Sequence, residues 1–422
     1  MSDLDDIDFF RSGAVLKDPY PYCEQLRSHC PVHREPHEGV VMVTGYDEAL
    51  AVYHDVETFS SANSVTGPFP GFSTPLEGDD VTEQIEAQRD ALPFSDQLPT
   101  FDPPKHTAHR GLTLRLLTPG RLKESEPAIW SLADRQIDEI IDNASCDVIG
   151  EFASPFAMLV IAELLGVPTE DQPDFRARLA RTSGFGTGEG DTMAHTPLEF
   201  LYDKFTDYVE DRRRGPRDDV MTRMAVATFP DGSTPEVIDV VRVAANLFAA
   251  GQETTVRMLG SAFQLIAERP DLQQWLRADP DRIPNFIEEV LRVESPIKGD
   301  FRVARVPTKV GGVDIAAGAT VMVLNGAANR DPRKFEQPAD FEPDRANARE
   351  HLAFGHGIHF CPGAPLARVE GRIAVQRILE RTTDIRVAEE HHGPPDARRY
   401  RYMPTYMLRG LQALHVELDT AG

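Results

Sequence analysis

The chain of 422 residues has little cysteine, little tryptophan and a deficit of positive charge. Its four cysteines are too few for a disulfide scaffold at this length, which favours a compartment that keeps thiols reduced. Lys plus Arg number 44 against 68 Asp plus Glu, so the formal net charge is −24. Since affinity for nucleic acid comes from Lys and Arg, this balance argues against a nucleic-acid-binding protein.

Long apolar runs are also missing. No stretch approaches the ~18 to 20 apolar residues that cross a bilayer, so no membrane span is predicted. Residues 1–8 are acidic and lack the basic and apolar pattern of a secretory signal. The sequence therefore predicts a cytoplasmic protein. Its 22 Phe and a hydrophobic fraction of 41% are enough to bury a large core.

Local patterns predict a mainly helical chain. Residues 1–17 are expected to form a loose lead-in, and residues 62–104, rich in Gly and Pro, a long functional loop. From about 105 to 295 the pattern is helical, with Pro at the boundaries. Within it, Thr234-Pro235 predicts the start of a helix of about 35 residues that ends at Arg269, because Thr caps helices and Pro suits their first position.

β-structure is predicted in two places. Residues 39–44 are β-rich, and residues 302–325 contain two β-rich runs separated by Gly311-Gly312, a hairpin signal. A last helix is expected over about 363–381. No repeat or low-complexity linker divides the chain, so a single domain over residues 1–422 is predicted.

The most informative segment is residues 354–363, Phe-Gly-His-Gly-Ile-His-Phe-Cys-Pro-Gly. Its glycines allow positive φ and close backbone approach around one cysteine. A helix that begins near Ala364 would place backbone N–H groups beside the Cys361 sulfur and favour a thiolate. The segment fits an incidental buried cysteine, a haem-thiolate ligand, or a zinc site that also uses His351, His356 and His359.

The haem interpretation agrees with a family resemblance. The Cys361 segment resembles the haem-binding signature of the cytochrome P-450 family, the haem-thiolate monooxygenases, in its soluble bacterial type. Further motifs of that family lie in the expected order at 102–110 (His-x-x-x-Arg), 250–255 (oxygen activation), 289–292 (Glu-x-x-Arg), 329–332 and 341–345. The resemblance covers about residues 18–415. It implies a mainly α, single-domain triangular P-450 fold with small β-sheets, and haem b (iron protoporphyrin IX) as cofactor.

The resemblance also implies residue roles. Cys361 would be the axial ligand of the haem iron, with Phe354 and Gly355 on the ligand side of the macrocycle. Thr254 and Glu253 would be the catalytic residues that serve oxygen activation and proton relay; Glu253 replaces the commoner Asp and is an accepted variant. Cationic side chains would hold the haem propionates: His106, Arg110, Arg302 and His359. A buried charge network would support the Cys loop: Glu289, Arg292 and Arg345.

Substrate contacts are expected from the long helix and from a strand. Asn246, Ala249 and Ala250 precede Thr254 on the helix. Lys298 would share a strand face with Arg302 by alternation. The pocket should also include the segments 62–104, 170–200, 296–301 and 403–407. The expected substrate is a small to medium apolar molecule (terpenoid, steroid, lipid or aromatic), hydroxylated with O2 and bearing at least one oxygen acceptor for Asn246 or Lys298.

One window of the acidic chain is basic. Residues 103–123 contain no acid and carry Lys105, Arg110, Arg115, Arg121 and Lys123. Since Arg110 is expected at the haem, this patch predicts docking of an acidic ferredoxin, which is reduced by an NAD(P)H-dependent reductase. The protein is expected to act as a monomer. Two alternatives stay open: a non-catalytic haem-binding sensor, and a zinc-binding structural or hydrolytic protein.

Overall fold

The computed structural model describes residues 4, 6–114, 117–143, 145–179, 198–229 and 231–420. These residues are mainly helical with small β-sheets, which confirms the predicted fold class. The helices are α1 (Gly13–Lys17), α2 (Tyr20–His29), α3 (Tyr46–His54), α4 (Thr82–Arg89), α5 (Lys105–Leu114), α6 (Pro119–Asp138), α7 (Ser154–Leu165), α8 (Gln172–Leu179), α9 (Tyr202–Arg214), α10 (Val220–Ala225), α11 (Val237–Glu268), α12 (Pro270–Ala278), α13 (Ile283–Val293), α14 (Asn325–Ala328), α15 (Ala364–Arg381) and α16 (Glu389–His392).

Three sheets occur among the described residues. The largest has the order β1-β2-β8-β5-β3, in which β2 and β8 run parallel and the other neighbours antiparallel; the second has the order β4-β10-β9, and the third pairs β6 with β7. The strands are β1 (Val32–Arg34), β2 (Val41–Val43), β3 (Phe59–Ser60), β4 (Cys146–Asp147), β5 (Asp300–Ala304), β6 (Thr308–Val310), β7 (Val313–Ile315), β8 (Thr320–Val323), β9 (Asp384–Val387) and β10 (His415–Asp419).

The hairpin between β6 and β7 has the turn that its sequence requires. Gly311 and Gly312 have φ of +55° and +83°. Positive φ at both central residues is the signature of a type I′ turn, which glycine adopts without steric cost. The predicted hairpin at Gly311-Gly312 is therefore present.

The long helix α11 is the centre of the fold. It has 32 residues, or roughly 48 Å at 1.5 Å per residue, and it packs against α7, α9 and α15. It begins at Val237 rather than at the predicted Thr234-Pro235, because Glu236 is still extended with ψ of 157°. The position of the helix brings the 250–255 motif alongside α15, the helix that follows Cys361.

The beginning of the chain differs from the prediction. Residues 1–17 were expected to be loose, but Phe9 and Phe10 are 1% and 0% exposed, and α1 follows them. The Phe10 ring lies 5.3 Å from that of Tyr406 and 6.5 Å from that of Phe301, between ring centroids. Burying two Phe side chains is worth roughly 3 to 6 kcal/mol, which outweighs the acidic composition of this segment.

The segment 62–104, predicted as a loop, contains α4 and is tied to the sheet. Asp102 accepts hydrogen bonds from Arg305 at 2.7 Å and from the backbone N–H of Ser61 at 2.8 Å, and it forms an ion pair with Arg89 of α4. These bonds fix both the segment and the start of α5 against the largest sheet.

One described stretch is long and apolar enough to cross a membrane. It is Val148–Leu165, 18 residues with a mean hydropathy of 1.8, and 72% of it is buried inside the protein. Its last part is α7, which packs against α11. Burial in the core accounts for its hydropathy.

Candidate active site

The loop before α15 is closed by its own backbone. The N–H of Cys361 donates to the carbonyl of Phe354 at 2.9 Å, and Gly355 and Gly357 have φ of +67° and +70°. A Cβ on Gly357 would lie 2.6 Å from the carbonyl oxygen of Tyr53. Glycine is thus required at 357 both by the backbone conformation and by the close approach of α3.

Cys361 lies three residues before the start of α15 at Ala364. Burial raises the pKa of the Cys361 thiol, while hydrogen bonds from the backbone N–H groups of Gly363 and Ala364 and the charge of Arg110 act in the opposite direction. By contrast, Cys23 and Cys146 are both 2% exposed, and burial raises the pKa of each to about 12. Backbone donors at a helix start favour a thiolate, so the donor set at Cys361 fits a metal-bound sulfur.

Phe354 contacts a charge network that sequence analysis missed. The Arg368 guanidinium lies 4.7 Å from the Phe354 ring centroid and donates to Glu288 at 2.6 Å through Nε. His351 lies 3.1 Å from the same carboxylate. Although burial alone would raise it, these hydrogen bonds lower the pKa of Glu288 to about 2.

The predicted structural triad is assembled in the core. Arg292 donates to Glu289 through Nε at 2.7 Å, and Arg345 donates to the same carboxylate at 3.0 Å. The side chains of Glu289 and Arg292 are fully buried. Arg292 also donates to the carbonyls of Asn329 and Pro338, at 2.9 and 2.7 Å. The network joins α13 to the segment that leads into the Cys loop. Each of its buried charged side chains has a partner of opposite charge, as burial of charge requires.

The zinc interpretation finds no support in the part of the chain that the structure describes. No group of three or more His, Cys, Asp or Glu there could hold a metal ion. The three histidines around Cys361 have separate partners instead: His351 bonds to Glu288, His356 to His54 at 2.8 Å, and His359 to Ser61 at 3.0 Å.

The predicted propionate ligands come together beside the Cys loop. The rings of His106 and His359 lie 4.2 Å apart between centroids. Arg110 donates to the carbonyl of Phe360. Arg302 is near enough to both histidines to disfavour their protonation. Ser61, which bonds to His359, is a member of this group that sequence analysis missed.

This group fits an anion. Burial, and then the charge of Arg110, lowers the pKa of His106 to about 4; burial, and then the charge of Arg302, lowers the pKa of His359 to about 2. His106 Nε2 is buried and has no hydrogen-bond partner. Since a buried polar atom without a partner is costly, a carboxylate placed here would be stabilised. The residues therefore fit the propionates of a haem.

Lys298 was predicted to contact substrate, and that prediction is wrong. Its Nζ donates to the carbonyls of Leu16 and Thr405, the latter at 2.5 Å, and the side chain is buried. The strand alternation on which the prediction relied does not reach residue 298, because β5 begins at Asp300. Gly299 intervenes, and a Cβ there would lie 2.5 Å from the carbonyl oxygen of Val323.

The open face of α11 carries the other predicted substrate residues. Ala250 is exposed, and Asn246 and Ala249 are partly exposed. Thr254 Oγ1 donates to the carbonyl of Ala250 at 2.9 Å, a bond within the helix that Thr often makes. Ala250 and Thr254, one turn apart, therefore lie together on this face.

Glu253 has a partner that the sequence motif does not reveal. Arg257, one turn further along α11, donates to Glu253 through Nε at 3.0 Å and to the carbonyl of Leu411 at 2.8 Å. Arg257 thus links the Glu253 carboxylate to the C-terminal segment. An i, i+4 Glu and Arg pair was visible in the sequence and is the signal that would have found it.

A buried acid contacts Thr255, the residue that follows Thr254. Glu370 of α15 is 2% exposed and accepts a hydrogen bond from Thr255 Oγ1 at 3.0 Å. No ion pair to Glu370 occurs among the described residues. Burial raises the pKa of Glu370 to about 8, so it is largely protonated at neutral pH. Sequence analysis did not single it out.

Known proteins resemble the chain over its full length. The sequence model of the family described as "Cytochrome P450" matches residues 195–383. Cytochrome P450 144 of Mycobacterium tuberculosis is 34% identical, with 91% of this chain and 87% of that protein covered. The 6-deoxyerythronolide B hydroxylase of Saccharopolyspora erythraea is 30% identical, with 99% and 98% covered. The substrate-free structure of Mycobacterium marinum cytochrome P450 CYP150A6 is 54% identical, with both chains fully covered and a TM-score of 0.94.

Proposed function

Because the chain belongs to the cytochrome P450 family, we propose that Cys361 supplies the thiolate through which this haem b monooxygenase holds its iron. Members of the family bind haem b through a cysteine, use O2 and receive electrons from redox partners. Membership also sets aside the alternatives of a non-catalytic sensor and a zinc protein. The observation that carries the assignment is the position of Cys361 directly before α15, which begins at Ala364, because backbone N–H groups at a helix start favour a thiolate.

Four side chains would hold the haem propionates: His106, Arg110, Arg302 and His359. The support is the clustering of these groups and the unpartnered Nε2 of His106. Arg302 now donates to Asp300 at 2.8 Å, and a propionate would add a second anionic partner to its guanidinium. Phe354 and Gly355 would flank the ligand side of the macrocycle.

When bound, the haem supplies the chemistry that activates O2. The protein side chains handle the protons. We assign Thr254 Oγ1 to hold a proton at the pocket, which requires its hydroxyl to rotate away from the carbonyl of Ala250. Glu253 would resupply that proton from solvent, and it must loosen its pairing with Arg257 to do so. Wild-type and Thr254→Ala proteins should then differ in product formed per NADH.

The substrate is proposed to be a small to medium apolar molecule of the terpenoid, steroid, lipid or aromatic type, and its C–H bond is hydroxylated. The open face of α11, which presents Ala249 and Ala250, supports this proposal. Because Lys298 does not face the pocket, Asn246 is the predicted side chain left to donate a hydrogen bond to an oxygen acceptor on the substrate. The 170–200 part of the predicted pocket lies, over 180–197, outside the described residues.

A screen for compounds that shift the ferric haem to high spin tests this proposal. Hits should be apolar, and Ala250→Leu should weaken them because it fills the open face of the helix. Leu114→Ala, on the Cys-loop side of the protein, is the control and should leave the spin shift unchanged. Equal binding of hits by wild type and Ala250→Leu would contradict the proposed pocket.

Electrons are proposed to come from an acidic ferredoxin that docks on the Cys-loop side. Three apolar side chains are exposed there, Leu114, Ile358 and Phe360, at 56%, 37% and 38%. Lys105 and Lys123 add exposed positive charge, and Arg115 of the predicted patch lies outside the described residues. An apolar centre with a basic rim suits a transient acidic partner. A monomer in the cytoplasm is part of the same proposal.

Charge reversal tests the docking proposal. Lys105→Glu together with Lys123→Glu should slow reduction of the haem by ferredoxin, most strongly at low salt, because opposite charges steer the encounter. Lys309→Glu, at an exposed position on the β6–β7 hairpin, is the matched control. Unchanged reduction rates at low ionic strength would count against this surface.

A further inference from the structure

A surface cleft lies between α2 and the segment around α14. Its volume is about 470 Å3, within the range of roughly 300 to 1,000 Å3 that is usual for small-molecule sites. None of the residues assigned above to haem, oxygen or substrate lines it. Its walls combine apolar side chains, such as Pro31, Pro332 and Ala339, with the guanidinium groups of Arg27, Arg330 and Arg333.

Arg27 is the cation of this cleft that lacks an acidic partner. Its NH1 donates to the carbonyl of Ala327 at 2.9 Å, and no ion pair to Arg27 occurs within the described parts of the chain. The Arg27 side chain is half-buried, and this burial lowers its pKa. A guanidinium has five N–H donors, so most of them remain to be used.

The other charges of the cleft are already engaged. Arg330 donates to the carbonyl of Val293 at 2.9 Å and lies 3.5 Å from the Tyr20 ring centroid. Arg333 pairs with Asp331 and with Glu48, each at 2.6 Å. The buried Asp331 carboxylate also accepts from the backbone N–H of Tyr46, at 2.9 Å. Glu24, the other acid of the lining, is exposed to water. Asp331 and Glu24 act on the Arg27 charge only at longer range, so among the described residues Arg27 is the guanidinium of the lining without a direct ion pair to an acid.

We propose that this cleft binds a small organic carboxylate at a site separate from the active site, with the carboxylate on Arg27 and an apolar body against the prolines. A planar guanidinium matches a carboxylate with two parallel hydrogen bonds. The volume exceeds what an inorganic ion needs, and the proline and alanine walls favour an aliphatic or aromatic body over water.

Octanoate is a suitable probe. The haem-loaded protein is first saturated with an azole that ligates the iron, so that the active site is closed to the probe, and octanoate binding is then measured by calorimetry. Wild type should bind octanoate, and Arg27→Gln should bind it at least tenfold more weakly, since charge-assisted hydrogen bonds are lost. Arg34→Gln is the matched control, because Arg34 is exposed and likewise donates to one carbonyl, that of Gly39, at 3.0 Å.

Two further measurements keep the test decisive if Arg27→Gln folds poorly. Ala339→Trp should also weaken octanoate binding by filling the cleft, although it leaves the charge in place. Octanol has the same alkyl chain as octanoate but no carboxylate, so it should bind equally to wild type and Arg27→Gln. Absence of octanoate binding to the azole-blocked wild type, or equal binding by wild type and both cleft variants, would overturn the proposal. Either result leaves the monooxygenase assignment untouched, because the active site is blocked throughout.

Discussion

Replacing the buried acid Glu370 with glutamine is expected to stabilise the protein at neutral pH. The carboxyl is 2% exposed and its one described hydrogen-bond partner is the Thr255 hydroxyl. Burial raises its pKa from 4.5 to about 8. In the unfolded chain at pH 7 the same group is ionised, so folding must add a proton to it.

The free energy needed to protonate Glu370 on folding sets the size of the stability change. Each pH unit above the unfolded pKa of 4.5 costs about 1.36 kcal/mol. The cost is about 3 kcal/mol at pH 7, and it falls to about 0.7 kcal/mol at pH 5. Because the pKa of Glu370 is higher in the folded than in the unfolded protein, the free energy of unfolding decreases as pH rises from about 4.5 to about 8. Glutamine never ionises and keeps an oxygen for Thr255, so Glu370→Gln should recover up to about 3 kcal/mol at pH 7.

Chemical denaturation of the haem-loaded protein at pH 5, 6, 7 and 8 measures the effect. The difference between Glu370→Gln and wild type should grow with pH. Glu380→Gln, at an exposed position on the same helix, should show no such growth. A constant difference between pH 5 and pH 8, or a Glu370→Gln protein less stable than wild type at pH 7, would refute the reasoning that Glu370 is buried without a cation.

Three further outcomes are expected. Cys361→His should retain some haem but lose oxygenation, because a neutral imidazole does not replace the electron donation of a thiolate; normal product formation in that variant would contradict the assignment. Thr254→Ala should keep haem and substrate binding, seen as an unchanged spin shift, yet divert NADH electrons into hydrogen peroxide. Lys298→Met should lower the unfolding free energy by about 2 kcal/mol, since two buried carbonyls lose their hydrogen-bond donor, and a changed substrate spectrum in that variant would return Lys298 to the pocket.

The parts of the site that sequence predicts well depend on short-range geometry. In the Cys361 loop the glycines, the cysteine and the following helix are contiguous, so backbone rules alone place the sulfur beside N–H groups. The same holds for Gly311-Gly312, where two adjacent residues determine the turn. The Glu289 and Arg292 pair is three residues apart on one helix, and that spacing already places both side chains on one face.

The parts that sequence missed depend on residues far apart in the chain. Glu288 meets Arg368 across 80 positions, and Glu370 meets Thr255 across 115; no local pattern announces either contact. The error at Lys298 has another cause. The strand begins two residues later than alternation assumed, so alternation does not fix the direction of the Lys298 side chain, which bonds to the carbonyls of Leu16 and Thr405.

The position of Lys298 has a consequence for the order in which the protein is made. Its Nζ donates to the carbonyls of Leu16 and Thr405, so one side chain bonds to a segment made early in translation and to a segment made late. The bond that ties Leu16 to Thr405 through Lys298 can form only after residue 405 has been made. Contacts of such long sequence separation form slowly, and partly packed chains expose apolar surface meanwhile. Phe10 also contacts rings made late, those of Phe301 and Tyr406, so it is expected to stay partly exposed until those residues are made and to be a site where chaperones bind the nascent chain.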